Sequence, residues 1–199
     1  MQRPLLSSFV GLFLLAAPAQ AFTVLVIDIS NPAAVTFTAT GNVSLVNSSL
    51  NMALGGFTIQ NFLATPEWLD ELTTGDLHPT GSAYVYAGLG TFDYEGGSGN
   101  FGSANDLSIY SNGGSSTTEL SQVFSTSSPA FNGVMTVNFS EFASSVPAAG
   151  TTGNVRAGYL IGESGHTGIV GDYIVVPEPS SALLGGLGAL ALLKRRRKA

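Results

Sequence analysis

"VTFTAT", residues 35–40, alternates Val35, Phe37 and Ala39 with Thr36, Thr38 and Thr40. Successive side chains of an extended chain point to opposite faces, so a period of two predicts a half-buried strand with a threonine face toward solvent. "MTVNFS", residues 135–140, repeats the pattern, with Met135, Val137 and Phe139 on one side and Thr136, Asn138 and Ser140 on the other. Wherever the pattern is clear, its period is two rather than 3.6, which sets the expected class as all-β.

Working outward, "FTVLVIDI", "LNMALGGFTIQNFL", "SAYVYAGLGTFDY", "DLSIY", "TELSQVFS", "VRAGYLIG" and "GIVGDYIVV" are short β-rich runs separated by clusters of Gly, Asn, Ser and Pro. In "LNMALGGFTIQ" the apolar set moves from even positions (Met52, Leu54) to odd ones (Phe57, Ile59). A bulge at Gly55 and Gly56 would keep one face inward and would curve the sheet. Only "TPEWLDEL", residues 65–72, reads as helical, with Thr65 as N-cap, Pro66 at the first position, Glu67 in the first turn and Trp68, Leu69 and Leu72 on one side. Many short strands with almost no helix predict an antiparallel β-sandwich, of which the jelly roll is one form.

The ends of the chain have a different character. Residues 1–21 run from Arg3 through an apolar stretch to small residues at Ala19 and Ala21 around Gln20. That order matches a secretory signal with an A-x-A-type cleavage site, which places the mature start at Phe22. At 199 residues the chain has room for one well-formed domain, expected over residues 22–175. Of seven Lys and Arg, one lies in the signal, five lie at 194–198, and Arg156 alone sits in the body against twelve acids, a balance of −11. Such a body repels nucleic acid and anionic lipid. With no cysteine, the chain has no disulfide, thiolate metal site or Cys nucleophile, and its stability must come from apolar burial.

The body contains no evident catalytic constellation. "GSGNFG", residues 97–102, has dinucleotide-loop spacing, yet strand-like "SANDLSIY" follows where phosphate binding needs a helix. Asp93, Glu95, Asn100 and Asp106 gather oxygen ligands without the ordered spacing of a calcium loop, which favours an acidic, glycine-rich hairpin. His78 and His166 read as loop histidines, and Ser164 near His166 lacks a nucleophile elbow. Tyr84 and Tyr86 share a strand face that Phe92 and Tyr94 continue, either as core or as a platform for sugar rings. Asn42, Asn47 and Asn138 head Asn-x-Ser sequons whose use depends on the host. No cofactor or metal is called for.

The last stretch, "VPEPSSALLGGLGALALLKRRRKA", residues 176–199, is the most specific part of the chain. Pro177 and Pro179 fix φ, remove two backbone donors and push their predecessors toward extended geometry, so a stiff peptide carrying Glu178 should stand beyond the last strand. Fourteen uncharged residues, 180–193, then precede Lys194, Arg195, Arg196, Arg197 and Lys198. As a helix they would extend roughly 21 Å against about 30 Å of hydrocarbon, short for a permanent anchor. The five cations form a cytoplasmic stop-transfer block that holds the body outside.

This arrangement resembles the PEP-CTERM family of bacterial sorting substrates in its Pro177-Glu178-Pro179 motif, its short Gly- and Leu-rich span and its terminal basic cluster. The resemblance covers the last 24 residues and the signal. It implies recognition of Pro177, Glu178 and Pro179 by an exosortase, a membrane-embedded cysteine transpeptidase, after passage through the secretion machinery. It also implies a link with exopolysaccharide and biofilm, while saying nothing of what the body does. The chain is therefore expected to cross the inner membrane, to be anchored transiently and to end at the cell surface or in the extracellular matrix. A non-enzymatic structural or adhesive role is the leading expectation. The alternative is a glycan- or calcium-binding β-sandwich module, carried by Tyr84, Tyr86, Trp68 or the carboxylates near Asp93.

Overall fold

A computed structural model describes residues 22–52, 56–66, 70–82, 84–90, 105–111, 120–158 and 168–176. The strands are β1 (Thr23–Asp28), β2 (Val35–Ala39), β3 (Ser48–Met52), β4 (Gly56–Ile59), β5 (Asp70–Leu72), β6 (Thr74–Gly75) and β7 (His78–Pro79). They continue with β8 (Gly88–Gly90), β9 (Leu107–Tyr110), β10 (Leu120–Phe124), β11 (Phe131–Asn132), β12 (Val134–Val137), β13 (Thr152–Ala157) and β14 (Ile169–Val176). Two short 3₁₀ segments, Pro32–Ala34 and Ser140–Ser145, are the helical elements among the described residues.

The two stretches that set the fold class become hydrogen-bonded neighbours. β12 pairs antiparallel with β2, placing Met135 opposite Phe37 and Val137 opposite Val35. All four side chains are buried, as is Phe139, while Thr38 and Asn138 are exposed. The alternation therefore marks one continuous inner face across two strands.

Ten strands form one large sheet in the order β5-β8-β9-β4-β13-β14-β1-β2-β12-β6. Its two outer strands belong to one stretch of chain. β5 pairs with β8, the ladder continues where Thr73 N–H donates to Ala87 O, and the chain then joins β12 through β6. Asp76 and Leu77 N–H both donate to Val134 O, extending that second ladder. One segment thus lines both edges, nearly closing the sheet and sparing it two long unpaired borders. Gly75 turns the corner at φ +124°, and a Cβ there would collide with Val134 O.

Two small ladders, β3 with β10 and β7 with β11, accompany the large sheet. The interior is aromatic: Phe57 lies 4.8 Å from both Tyr86 and Phe131, and Phe62 lies 5.9 to 6.2 Å from Phe37, Phe139 and Tyr173.

Three expectations require correction. First, the sheet is not wholly antiparallel, because β1 pairs parallel with β14. Parallel neighbours need a long crossover, and here everything between the first and last strands of the body serves as one. Second, the stretches on either side of the parity change belong to different sheets rather than to one curved sheet: β3 pairs with β10, whereas β4 sits between β9 and β13, and Leu54 and Gly55 lie outside the described residues. Irregular register occurs instead along β14, between Val155 and Arg156 on one partner and between Thr23 and Leu25 on the other.

Third, the end of the expected helix, Asp70–Leu72, is strand β5, and Leu72 is 73 % exposed rather than packed. The hydroxyl of Thr65, the expected N-cap, meets that of Ser145 at 2.9 Å. A segment this short has little helical stability of its own, so pairing with β8 decides the conformation of Asp70–Leu72. Glu67, Trp68 and Leu69 lie outside the described residues.

Candidate functional site

The sequence places the functional weight on the tail, and the structure defines what the tail hangs from. β14 is an interior strand held on one side by β13 and on the other by β1. Val170, Tyr173 and Val175 are buried along it. Its last residues are fully engaged. Val175 N–H donates to Thr151 O at 2.8 Å, Val175 O accepts Gly150 N–H at 2.8 Å, and Val176 O accepts Ile29 N–H at 3.3 Å. Pro177 follows at once in the sequence, so no linker separates the ladder from the Pro-Glu-Pro segment.

The other boundary lies at the opposite end of the same ladder. Phe22 O accepts Asp172 N–H at 2.9 Å, and the parallel register runs from Thr23 with Asp172 to Asp28 with Val176. The expected mature start and the exit of the tail are thus separated by the length of the strand pair. Pro177, Glu178, Pro179, the basic residues Lys194, Arg195, Arg196, Arg197 and Lys198, the residues of the expected span and the signal residues Ala19 and Ala21 lie outside the described residues. Among the described residues no helix is long and apolar enough to cross a membrane.

Within the body, the tyrosine face resolves into a polar network around Gln122, a residue that the sequence reading passed over. Gln122 is fully buried on β10. Its Oε1 accepts the hydroxyl of Tyr84 at 2.7 Å and that of Tyr86 at 3.3 Å, and its Nε2 donates to Gly56 O at 2.7 Å. The network stitches the β3–β10 ladder to β4 of the large sheet. Tyr86 is buried and Tyr84 half-buried, so most of this aromatic surface is interior. Val85, between them, is 44 % exposed. The signal for Gln122 was its parity with Phe124, a polar side chain at an inward position of "LSQVF".

Asp106 serves a turn. It is buried and its Oδ1 accepts Asn61 N–H at 2.7 Å, where Asn61 takes φ 55°. The Tyr173 hydroxyl lies 3.1 Å from Gln60 O and 3.2 Å from Asn61 O, fastening the same turn to β14. His78 is part of β7 rather than a loop, and its Nδ1 lies 2.7 Å from Asp76 O, the geometry of an Nδ1–H donor. Asn42, Asn47 and Asn138 are exposed, and each side chain has a backbone partner: Thr23 O, Thr126 N–H and Ser140 N–H. Asp93, Glu95 and Asn100, the loop at 97–102, Phe92, Tyr94, Ser164 and His166 lie outside the described residues. Among the described residues no group of three or more His, Cys, Asp or Glu is placed to hold a metal ion.

The environment of the tyrosines has a measurable consequence. Burial, reinforced by the neighbouring Tyr84, pushes Tyr86 well above the ordinary phenol range. Burial raises Tyr84 as well, although Ser82 partly opposes it. Tyr173 is pushed up to about 12, by burial first and by the Asp106 carboxylate second. A proton held more tightly in the folded state contributes stability that is complete below the unfolded value, near pH 10, and is lost as pH rises through the folded values. The melting temperature should therefore begin to fall as pH rises above about 10, with these three of the six tyrosines contributing tyrosinate absorbance only on unfolding. A stepwise rise in absorbance from all six in a still-folded protein would contradict this.

Comparison with known proteins bears on the tail. Residues 175–198 match the family model described as the PEP-CTERM protein-sorting motif. No curated protein and no solved structure matches the chain.

Proposed function

We propose, from the premise that a chain carrying the PEP-CTERM protein-sorting motif at residues 175–198 is an exported substrate of an exosortase, that its sandwich-like β body is a non-enzymatic structural or adhesive component of the cell surface or extracellular matrix. The observation that carries the reading is the motif itself, seated directly after an interior strand of a compact β body. The tail addresses the body: translocation pauses at the short apolar stretch, the basic block stays inside, and the Pro-Glu-Pro segment is offered at the outer boundary of the membrane.

Two features of the body support the passive role. Gln122, Tyr84, Tyr86, Asp106, Tyr173 and His78 have hydrogen-bond partners within the fold, so their chemistry serves cohesion. The single cation of the body, Arg156, against twelve acids makes neutral polysaccharide a better neighbour than an anionic polymer.

Intact-mass spectrometry of the protein recovered from its native host tests the sorting half of the reading. The expected chain begins at Phe22 and ends within or near residues 177–179, with or without added mass. Recovery of residues 1–199 intact from the membrane fraction would overturn it. Retardation of the processed body in exopolysaccharide affinity gels tests the matrix role, and hydrolysis of that polymer would overturn the non-enzymatic assignment.

A further inference from the structure

We propose that the folded body itself sets the N-terminal limit of tail processing: Val175 and Val176 are unavailable to a processing cleft, and the cut falls beyond Pro177. The argument rests on the sorting function proposed above and goes beyond it, because it derives the limit from β14 rather than from the motif.

Enzymes that cut peptide chains commonly bind the substrate backbone as an added strand, which requires free N–H and C=O groups on the residues before the cut. Val175 has neither group free, and Val176 O is committed to Ile29 N–H. β14 cannot swing out as an edge strand could, since it has β13 on one side and β1 on the other. Val175 is also buried, so opening the end of the strand would expose apolar surface in addition to breaking hydrogen bonds.

The β1–β14 contact is close as well. A Cβ at Gly171 would collide with Val24 Cγ1 and lie 2.7 Å from Phe22 O, so glycine is what allows the first strand to approach. The first strand of the body thus locks the last one, and the chain carries its sorting tail on an anchored end.

In the cut, a thiol of the enzyme adds to the carbonyl carbon of the residue before the scissile bond and the C–N bond breaks. The tail leaves as a free amine that takes up the proton, and water or a primary amine then displaces the thiol. At Val176 that carbonyl is the one hydrogen-bonded to Ile29, and the leaving nitrogen would be that of Pro177. The Pro177–Glu178 and Pro179–Ser180 bonds have no proline leaving nitrogen and lie past the end of β14.

Two measurements on the full chain test the proposal. Limited proteolysis of the purified protein with a broad-specificity protease should leave a resistant core whose C-terminus is Pro177 or later. A core ending at Val176 or earlier would overturn the proposal whether or not an exosortase acts on the chain. In the native host, a flexible Gly/Ser insert of about eight residues between Val176 and Pro177 should raise the processing rate about tenfold or more, because ordered backbone no longer abuts the motif. An unchanged rate, or a wild-type product ending at Val176 or earlier, would overturn it. Should the core keep β14 while the host leaves both chains uncut, the sorting function fails and the ordered limit at Val176 stands.

Discussion

Phe57→Ala is expected to destabilise the body by about 3–5 kcal/mol, the range for removing a fully buried phenylalanine side chain. Phe57 is wholly buried on β4 and its ring lies 4.8 Å from those of Tyr86 and Phe131. It therefore joins the large sheet to the β7–β11 ladder and to the chain before β8. The loss combines apolar transfer, a cavity with rigid walls, and two aromatic pairs worth about 0.5–1.5 kcal/mol each. Domains commonly have only about 5–15 kcal/mol in total, and no disulfide supports this one. Denaturant unfolding should show a lower midpoint with an unchanged slope. A shift below about 1 kcal/mol would mean that the core around Phe57 closes over the gap and is not the rigid junction described.

Local pattern made the strands legible but not their partners. "VTFTAT" and "MTVNFS" reveal their inner faces because alternation is a property of each strand alone. That these two strands adjoin, with Met135 opposite Phe37, depends on contacts almost a hundred residues apart. The parallel pairing of β1 with β14 was hidden for the same reason, since neither strand differs in composition from an antiparallel one.

The end of "TPEWLDEL" was misread because the capping residues before it are helix signals, while the backbone of Asp70–Leu72 finds a better partner in β8. Asp106 looked like part of an acidic loop because sequence gives charge but not burial; its carboxylate is enclosed and caps Asn61. The tail was the most legible part, since its order of rigid motif, apolar run and cations follows from membrane physics and needs no long-range contact.

Gln122→Ala should cost about as much as Phe57→Ala, roughly 3–5 kcal/mol, by a different route. The substitution removes the acceptor shared by Tyr84 and Tyr86 and the donor to Gly56 O. Tyr84 is half-buried and can turn toward water, and Gly56 O keeps the Gly158 N–H as donor, but the Tyr86 hydroxyl is enclosed and is left without a partner. Such a group costs about 1–3 kcal/mol, and the lost side-chain volume adds a cavity.

Gln122→Glu separates these contributions. An ionised carboxylate accepts from both tyrosines but cannot donate to Gly56 O, whereas the protonated acid can. Burial favours the neutral acid, so the folded state binds the proton more tightly than the unfolded chain. The stability of this variant should be complete at pH below the unfolded carboxyl range and decline as pH rises through the higher folded value. A double-mutant cycle of Gln122→Ala with Tyr84→Phe, read by denaturant unfolding, should be non-additive by at least about 0.5 kcal/mol. Strict additivity would show that the two side chains meet without being coupled. Since Gln122 belongs to β10 and Gly56 to β4, a pH-independent Gln122→Glu variant would further show that the small ladder is placed over the large sheet by apolar packing alone.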